Sequence, residues 1–175
     1  MNFQPPPMTP ELAARNRRVI VAVAVAFVLV SVGVSVWGYT VTRATRDRAV
    51  RTDAALRSVA WAVLCYASAS GGAFPTSDGD LAAVPEGAAP AAGRPWPSSL
   101  ESAMGGLPPM PLAEALGLVG VTWGAAAEVA PSLNTKGNPS SFGAVDAVNG
   151  WFAEYARDRA RRPEAGAPAA RSERP

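Results

Sequence analysis

Cys65 and the triplet Asp78-Gly79-Asp80 are the residues whose types most invite a chemical role, and neither has the company that chemistry needs. A cysteine nucleophile wants a base to hold it as thiolate, and the sequence contains no histidine. Between Leu64 and Tyr66, Cys65 reads as a small buried hydrophobe. Asp78 and Asp80 match only the opening of a calcium loop, without its later ligands or closing glutamate. Asp80 is better placed as the cap of a turn at Leu81. Without histidine the commonest general base and the usual metal, haem or bacteriochlorophyll ligand are missing. No Gly-rich phosphate loop, cysteine cluster or nucleophile elbow occurs, so no catalytic, metal or cofactor residue is assigned and a non-enzymatic protein is expected. One cysteine cannot form an internal disulfide, which leaves the redox compartment open.

The elements that would position any site begin with a membrane anchor. Residues 19–42, VIVAVAVAFVLVSVGVSVWGYTVT, are 24 residues without a charge. As a helix they span ~36 Å, enough to cross a bilayer. Arg17 and Arg18 precede the run and Arg43 follows it, where their long side chains can reach headgroups. Trp37 and Tyr39 sit near the far end, as interfacial aromatic rings do. Ala24, Ser31, Ser35 and Gly38 recur at steps of seven, four and three. They share one helix face, on which a neighbouring membrane helix could approach closely. Arginines flank both ends of the run, so charge alone does not orient it. A short polar tail before the anchor and most of the chain after it favour an N-terminus in the cytoplasm and a C-terminal domain in the periplasm of a bacterial inner membrane.

The helical pattern continues past the membrane. Residues 43–70 hold no glycine or proline, and Ala49, Leu56, Val59, Ala60, Val63 and Ala67 keep a spacing near 3.6 until Gly71 and Gly72 stop it. Residues 82–111 carry seven prolines and read as an extended connector, in which Trp96 stands between Pro95 and Pro97. Residues 112–123 offer a helical turn or two and a short strand, and 130–143 read as loop. Residues 144–162 form a second helix, with Val145, Val148, Trp151, Phe152 and Tyr155 on one side, Glu154 and Asp158 near arginines three or four residues later, and Pro163 ending it. Trp96, Trp151, Phe152 and Tyr155 are the candidate anchors for docking on a partner.

The predicted organisation is thus mainly α. It comprises a tail (1–18), a single transmembrane helix (19–42), an amphipathic continuation (43–72), a Pro/Gly-rich, loop-rich extrinsic region (73–143), an aromatic and basic amphipathic helix (144–162) and a second tail (163–175). The apolar helix running into an amphipathic half, then Leu56 to Tyr66, a small-residue turn at Ser70 to Ala73, and Phe74-Pro75-Thr76 followed by Asp78, Gly79, Asp80 and Leu81, resembles the type IV pilins and type II secretion pseudopilins over residues 19 to 85. No Gly-Phe-Thr-Leu-Ile-Glu peptidase site precedes the anchor, and no glutamate lies within it.

Two functions from different classes are compatible with this organisation. One is a structural accessory subunit of a large inner-membrane complex, for which a photosynthetic reaction-centre and light-harvesting assembly is one candidate. The other, which the resemblance implies, is a minor pseudopilin-like component of a secretion or pilus machine. The expected partners are other membrane protein subunits and the lipid bilayer. Nucleic acid is not expected, because the arginines flank the apolar run and the chain end rather than forming a basic face interleaved with aromatic readers.

Overall fold

The structure, a computed structural model, describes residues 10–85 and 87–161. The tail at 163–175, and Arg162 at the end of the second predicted helix, lie outside the described residues. The chain divides into two units, Met1–Thr45 and Arg46–Pro175.

Helix α1 (Pro10–Ala69) takes in residues 10–18, which the sequence reading placed in a tail. Pro10 suits a first helical position, where its missing N–H leaves no bond unmade and its φ is already set. Glu11 lies in the first turn, where a carboxylate meets the positive end of the helix dipole. In the first unit the 24-residue run holds ten valines, several alternating with alanine, serine or glycine in a period of two that a short strand would also show. The helix prevails because it closes every backbone hydrogen bond within the segment, which a lone strand in lipid cannot do. Side-chain hydroxyls follow the same economy. Ser35 Oγ donates to Ser31 O at 2.8 Å, Thr40 Oγ1 to Trp37 O at 2.8 Å and Thr42 Oγ1 to Gly38 O at 2.8 Å.

The second unit is built on the remainder of α1. Ala55, Leu56, Val59, Ala60, Val63, Leu64 and Ala67 are fully buried, and Ala54, Ser58 and Cys65 nearly so. Burial of so many consecutive positions means that this stretch is covered around most of its circumference. Gly71 (φ 65°) and Gly72 (φ 99°) then take left-handed backbone that ends the helix, as the sequence predicts.

Five short elements and one longer helix supply the cover. Helix α2 (Asp78–Ala82) follows Ser77 at its N-cap, so Asp80 stands at the third helical position rather than at the cap. Its Oδ2 accepts from the backbone N–H groups of Thr76 at 2.7 Å and Ser77 at 3.0 Å. Helix α3 (Leu100–Met104) lies inside the predicted connector. Ser99 Oγ caps it by accepting from Ser102 N at 3.1 Å, and Gly105 in αL conformation closes it. Helix α4 (Leu112–Leu118) and strand β1 (Gly120–Thr122) match the turn and strand expected there. Strand β2 (Ser132–Asn134) forms within a segment read as loop and pairs antiparallel with β1, Val121 opposite Leu133. A Cβ on Gly120 would lie 2.4 Å from Asn134 Oδ1, so a side chain there would oblige the Asn134 side chain to move.

Helix α5 (Ala144–Arg161) buries Val148 and Phe152 in the same core as α1, with Phe74, Leu81, Trp96, Val119 and Leu133. Asn149 on α5 clamps β2. Its Oδ1 accepts from Leu133 N at 2.8 Å and its Nδ2 donates to Leu133 O at 3.1 Å, which satisfies a strand edge that would otherwise be left unpaired.

Candidate functional site

On the apolar stretch of α1, Ala24, Ser31 and Ser35 are exposed and Gly38 is half-buried, and a Cβ placed on Gly38 would meet nothing within 4 Å. At 100° per residue these four positions fall within one narrow arc of α1. The flanking Arg17, Arg18 and Arg43 are exposed, as are Trp37 and Tyr39. Within its own unit the apolar run is open: every described residue of its most apolar window is unburied. Among the described residues one helix, near the N-terminus, is therefore long and apolar enough to cross a membrane. In water such a surface would be an aggregation liability, whereas lipid or other helices satisfy it.

The four aromatic docking candidates are brought together, but facing inward. Phe152 is 0% exposed and Trp96 5% exposed, so neither is presented to a partner. Trp151 and Tyr155 are half-buried and pack on the same core. This corrects the docking role for two of the residues and the reading of α5 as an external grip. The apolar side of α5 is used up by the chain's own domain, because the stretch of α1 at its centre needs cover on more sides than the short elements can give.

The cluster has defined geometry. Phe74 meets Phe152 edge-on at 6.4 Å between ring centroids and Tyr155 at 5.7 Å, and Trp96 lies 5.0 Å from Tyr155. These are the offset and edge arrangements that aromatic quadrupoles favour. On its other side Arg57 stacks 5.9 Å from the Trp151 ring while its Nη1 donates to Ala103 O at 2.8 Å. The connector that carries Trp96 is fixed by Arg94, whose Nη1 meets Asp158 Oδ1 on α5 at 2.8 Å. Arg159, next along α5, donates through Nη1 to Gly72 O at 2.8 Å. Glu154 pairs with Arg157, one turn on, as the helical spacing predicts.

Arg94 and Arg159 are members of this region that sequence reasoning did not single out, and Phe74 entered it only through the Phe74-Pro75-Thr76 motif of the pilin-like resemblance. The signal for Phe74 was present in its place after the double-glycine stop. The two arginines carried none, since their partners are 64 and 87 residues away in sequence.

Burial tunes two groups here. The Cys65 thiol is pushed up to about 11 by desolvation, and with 3% exposure it is the inert hydrophobe the sequence indicates. The Tyr155 hydroxyl is also raised, first by burial, with the Arg159 charge opposing and the Asp158 charge adding to the effect. Outside the cluster, the Asp80 carboxyl is lowered chiefly by the hydrogen bond from the Thr76 backbone. Among the described residues, no group of three or more His, Cys, Asp and Glu side chains could hold a metal ion. No protein-family model, curated protein or solved structure matches this chain.

Proposed function

We propose that this protein is a non-enzymatic, single-pass structural subunit of a larger membrane complex, held by residues 19–42 and carrying its domain of residues 46–161 on the periplasmic side of a bacterial inner membrane. The observation that carries the reading is the contrast between the two units. The domain fills its own core with its own aromatic side chains, whereas in the anchor the described residues Ala24, Ser31 and Ser35 of the small-residue face are exposed. Attachment to other subunits therefore runs through the anchor. Small residues let helix backbones approach closely in lipid, where close packing rather than the hydrophobic effect drives association.

Substitution on that face tests the proposal. Ser35→Leu adds bulk to it and should weaken association by ~1 kcal/mol, whereas Val34→Leu should have little effect. The measurement is recovery of co-purifying subunits from membranes solubilised in mild detergent. Equal recovery with both variants, or a wild-type chain that purifies alone, would sink the reading.

The second reading, a pseudopilin-like component, is favoured by α1 itself, whose first part is apolar and uncovered and whose later part forms the centre of a folded domain. Cysteine cross-linking between anchors separates the two. Capture of copies of the same chain supports the pseudopilin-like reading, and capture of different subunits supports the accessory one.

A further inference from the structure

We propose that the edge of the domain at which α1 enters it is a lipid-docking surface, which seats the domain on an anionic bilayer. The proposal depends on the reading of residues 19–42 as the membrane segment, and it adds a second hold on the bilayer, made by the folded domain itself.

This edge is apolar. Phe142 is fully exposed, and Val50 on α1 and the pair Pro108-Pro109 are exposed as well. They gather around the same stretch of α1. Pro108, Pro109 and Met110 border a hollow together with Asp47, Val50 and Arg51. Asp53 lies one turn beyond Val50 on the same helix face, and its Oδ1 accepts from Ser141 N at 3.1 Å, which holds the loop of Phe142 against α1. A second, open hollow of about 620 Å³ shares the two prolines; Leu100, Met104 and Leu107 help to line it, and Glu101 is its one charged member. Apolar residues scattered singly over a surface need no explanation, but an apolar edge of this kind marks an interaction site.

Position and charge select the partner. Asp47 follows Thr42, the last residue of the anchor, by five residues, and five residues reach at most ~18 Å however the chain turns. The edge is therefore tethered within reach of the headgroup layer, so its docking is an intramolecular event at high effective concentration. Residues 43–51 hold four arginines and one aspartate, a charge of +3. Arg51 pairs with Glu114, whereas Arg46 and Arg48 are exposed. Asp53 is buried and engaged by Ser141. Apolar side chains that enter the interface, flanked by arginines that meet anionic headgroups, are the combination by which surface segments bind bilayers.

The test uses the full chain reconstituted in vesicles. Single cysteines at Pro109→Cys and Ser141→Cys, in a Cys65→Ala background, carry an environment-sensitive fluorophore. Ser70→Cys serves as the distant control, twenty residues and ~30 Å along α1 from Val50, and Val30→Cys reports on the anchor. The quencher is phospholipid bearing a nitroxide at headgroup level, or on the acyl chain for Val30. In vesicles of phosphatidylglycerol and phosphatidylcholine in equal parts, the labels at 109 and 141 should be quenched and the label at 70 should stay bright. Phe142→Ser should weaken quenching at 109. Arg46→Gln and Arg48→Gln should each lower the ratio of docked to lifted domain by about fivefold, which corresponds to ~1 kcal/mol, and vesicles of phosphatidylcholine alone should lower it further. Labels at 109 and 141 that are quenched no more than the label at 70, while Val30 is quenched, overturn this proposal and leave the anchor standing. An unquenched Val30 label overturns both. Labels at 109 and 141 that are shielded from iodide yet untouched by the lipid quencher would mean that a second copy of the chain covers the edge, and equal quenching in neutral and anionic vesicles would remove the part assigned to the arginines; either result overturns the proposal.

Discussion

A thiol buried in a protein interior is held in its neutral form, because desolvation penalises the thiolate. For Cys65 this places the folded-state value at about 11 against an ordinary 9.0. The folded chain therefore keeps its proton in a range where the unfolded chain has lost it. The resulting stabilisation is fully present below about pH 9 and is lost as pH rises through about 11, and Tyr155, also raised by burial, acts in the same direction. Two outcomes follow at this scale. Iodoacetamide at pH 8 should leave the native thiol unmodified and label it promptly once denaturant is added. The thermal midpoint should decline between pH 9 and 11, and Cys65→Ala should flatten part of that decline. Rapid labelling of the native protein would mean that the helix carrying Cys65 opens readily, contrary to its 3% exposure.

At the scale of elements, the second unit relies on a few long-range polar clamps that join short pieces to the two substantial helices. Asn149 is the clearest, since both hydrogen bonds of its amide go to the backbone of Leu133, which is 1% exposed. Asn149→Ala would strand a buried N–H and a buried C=O at once, and each unpaired group costs ~1–3 kcal/mol. The urea midpoint should fall accordingly, with an unchanged slope; a change below ~0.5 kcal/mol, as at an ordinary surface position, would show that β2 does not need the clamp. Such clamps also mark the limit of what the sequence makes legible. Helix α5 is legible because Val148, Phe152 and Tyr155 recur at helical spacing after Gly143, and the stop of α1 is legible in Gly71 and Gly72. Helix α3 and strand β2 are not, because three to five residues are too few to show a period and their formation depends on Ser99 and Asn149 respectively. The inward placement of Trp96 is equally hidden. Its flanking prolines mark an extended backbone but not what that backbone lies against, which is the apolar core and Tyr155. The first turns of α1 were hidden for another reason, since Pro10 can open a helix as well as break one.

For the molecule as a whole, the consequence is that its two units should fail independently. If α5 is removed, the domain of residues 46–161 loses Val148 and Phe152 from its core, the aromatic contacts to Phe74, and the cover over Leu133. Loss of Phe152 alone, a fully buried ring, is of the order of 3–5 kcal/mol, comparable with the total stability of a small domain. A chain ending after Gly143 should therefore still insert in the membrane and resist extraction at alkaline pH, while its extrinsic part is unfolded. Limited proteolysis of membranes should reduce it to a fragment little longer than the anchor, under conditions in which the full chain survives. The contrast with a surface-docking helix is direct, because removing one of those would leave a folded, protease-resistant domain that had lost only its partner. Recovery of such a domain from the truncated chain would show that α5 is dispensable to the core and would return it to the role of an external grip. Degradation to the anchor would instead place the chain's hold on its complex in residues 19–42, and the truncated anchor should then still co-purify with the subunits that retain the full-length protein.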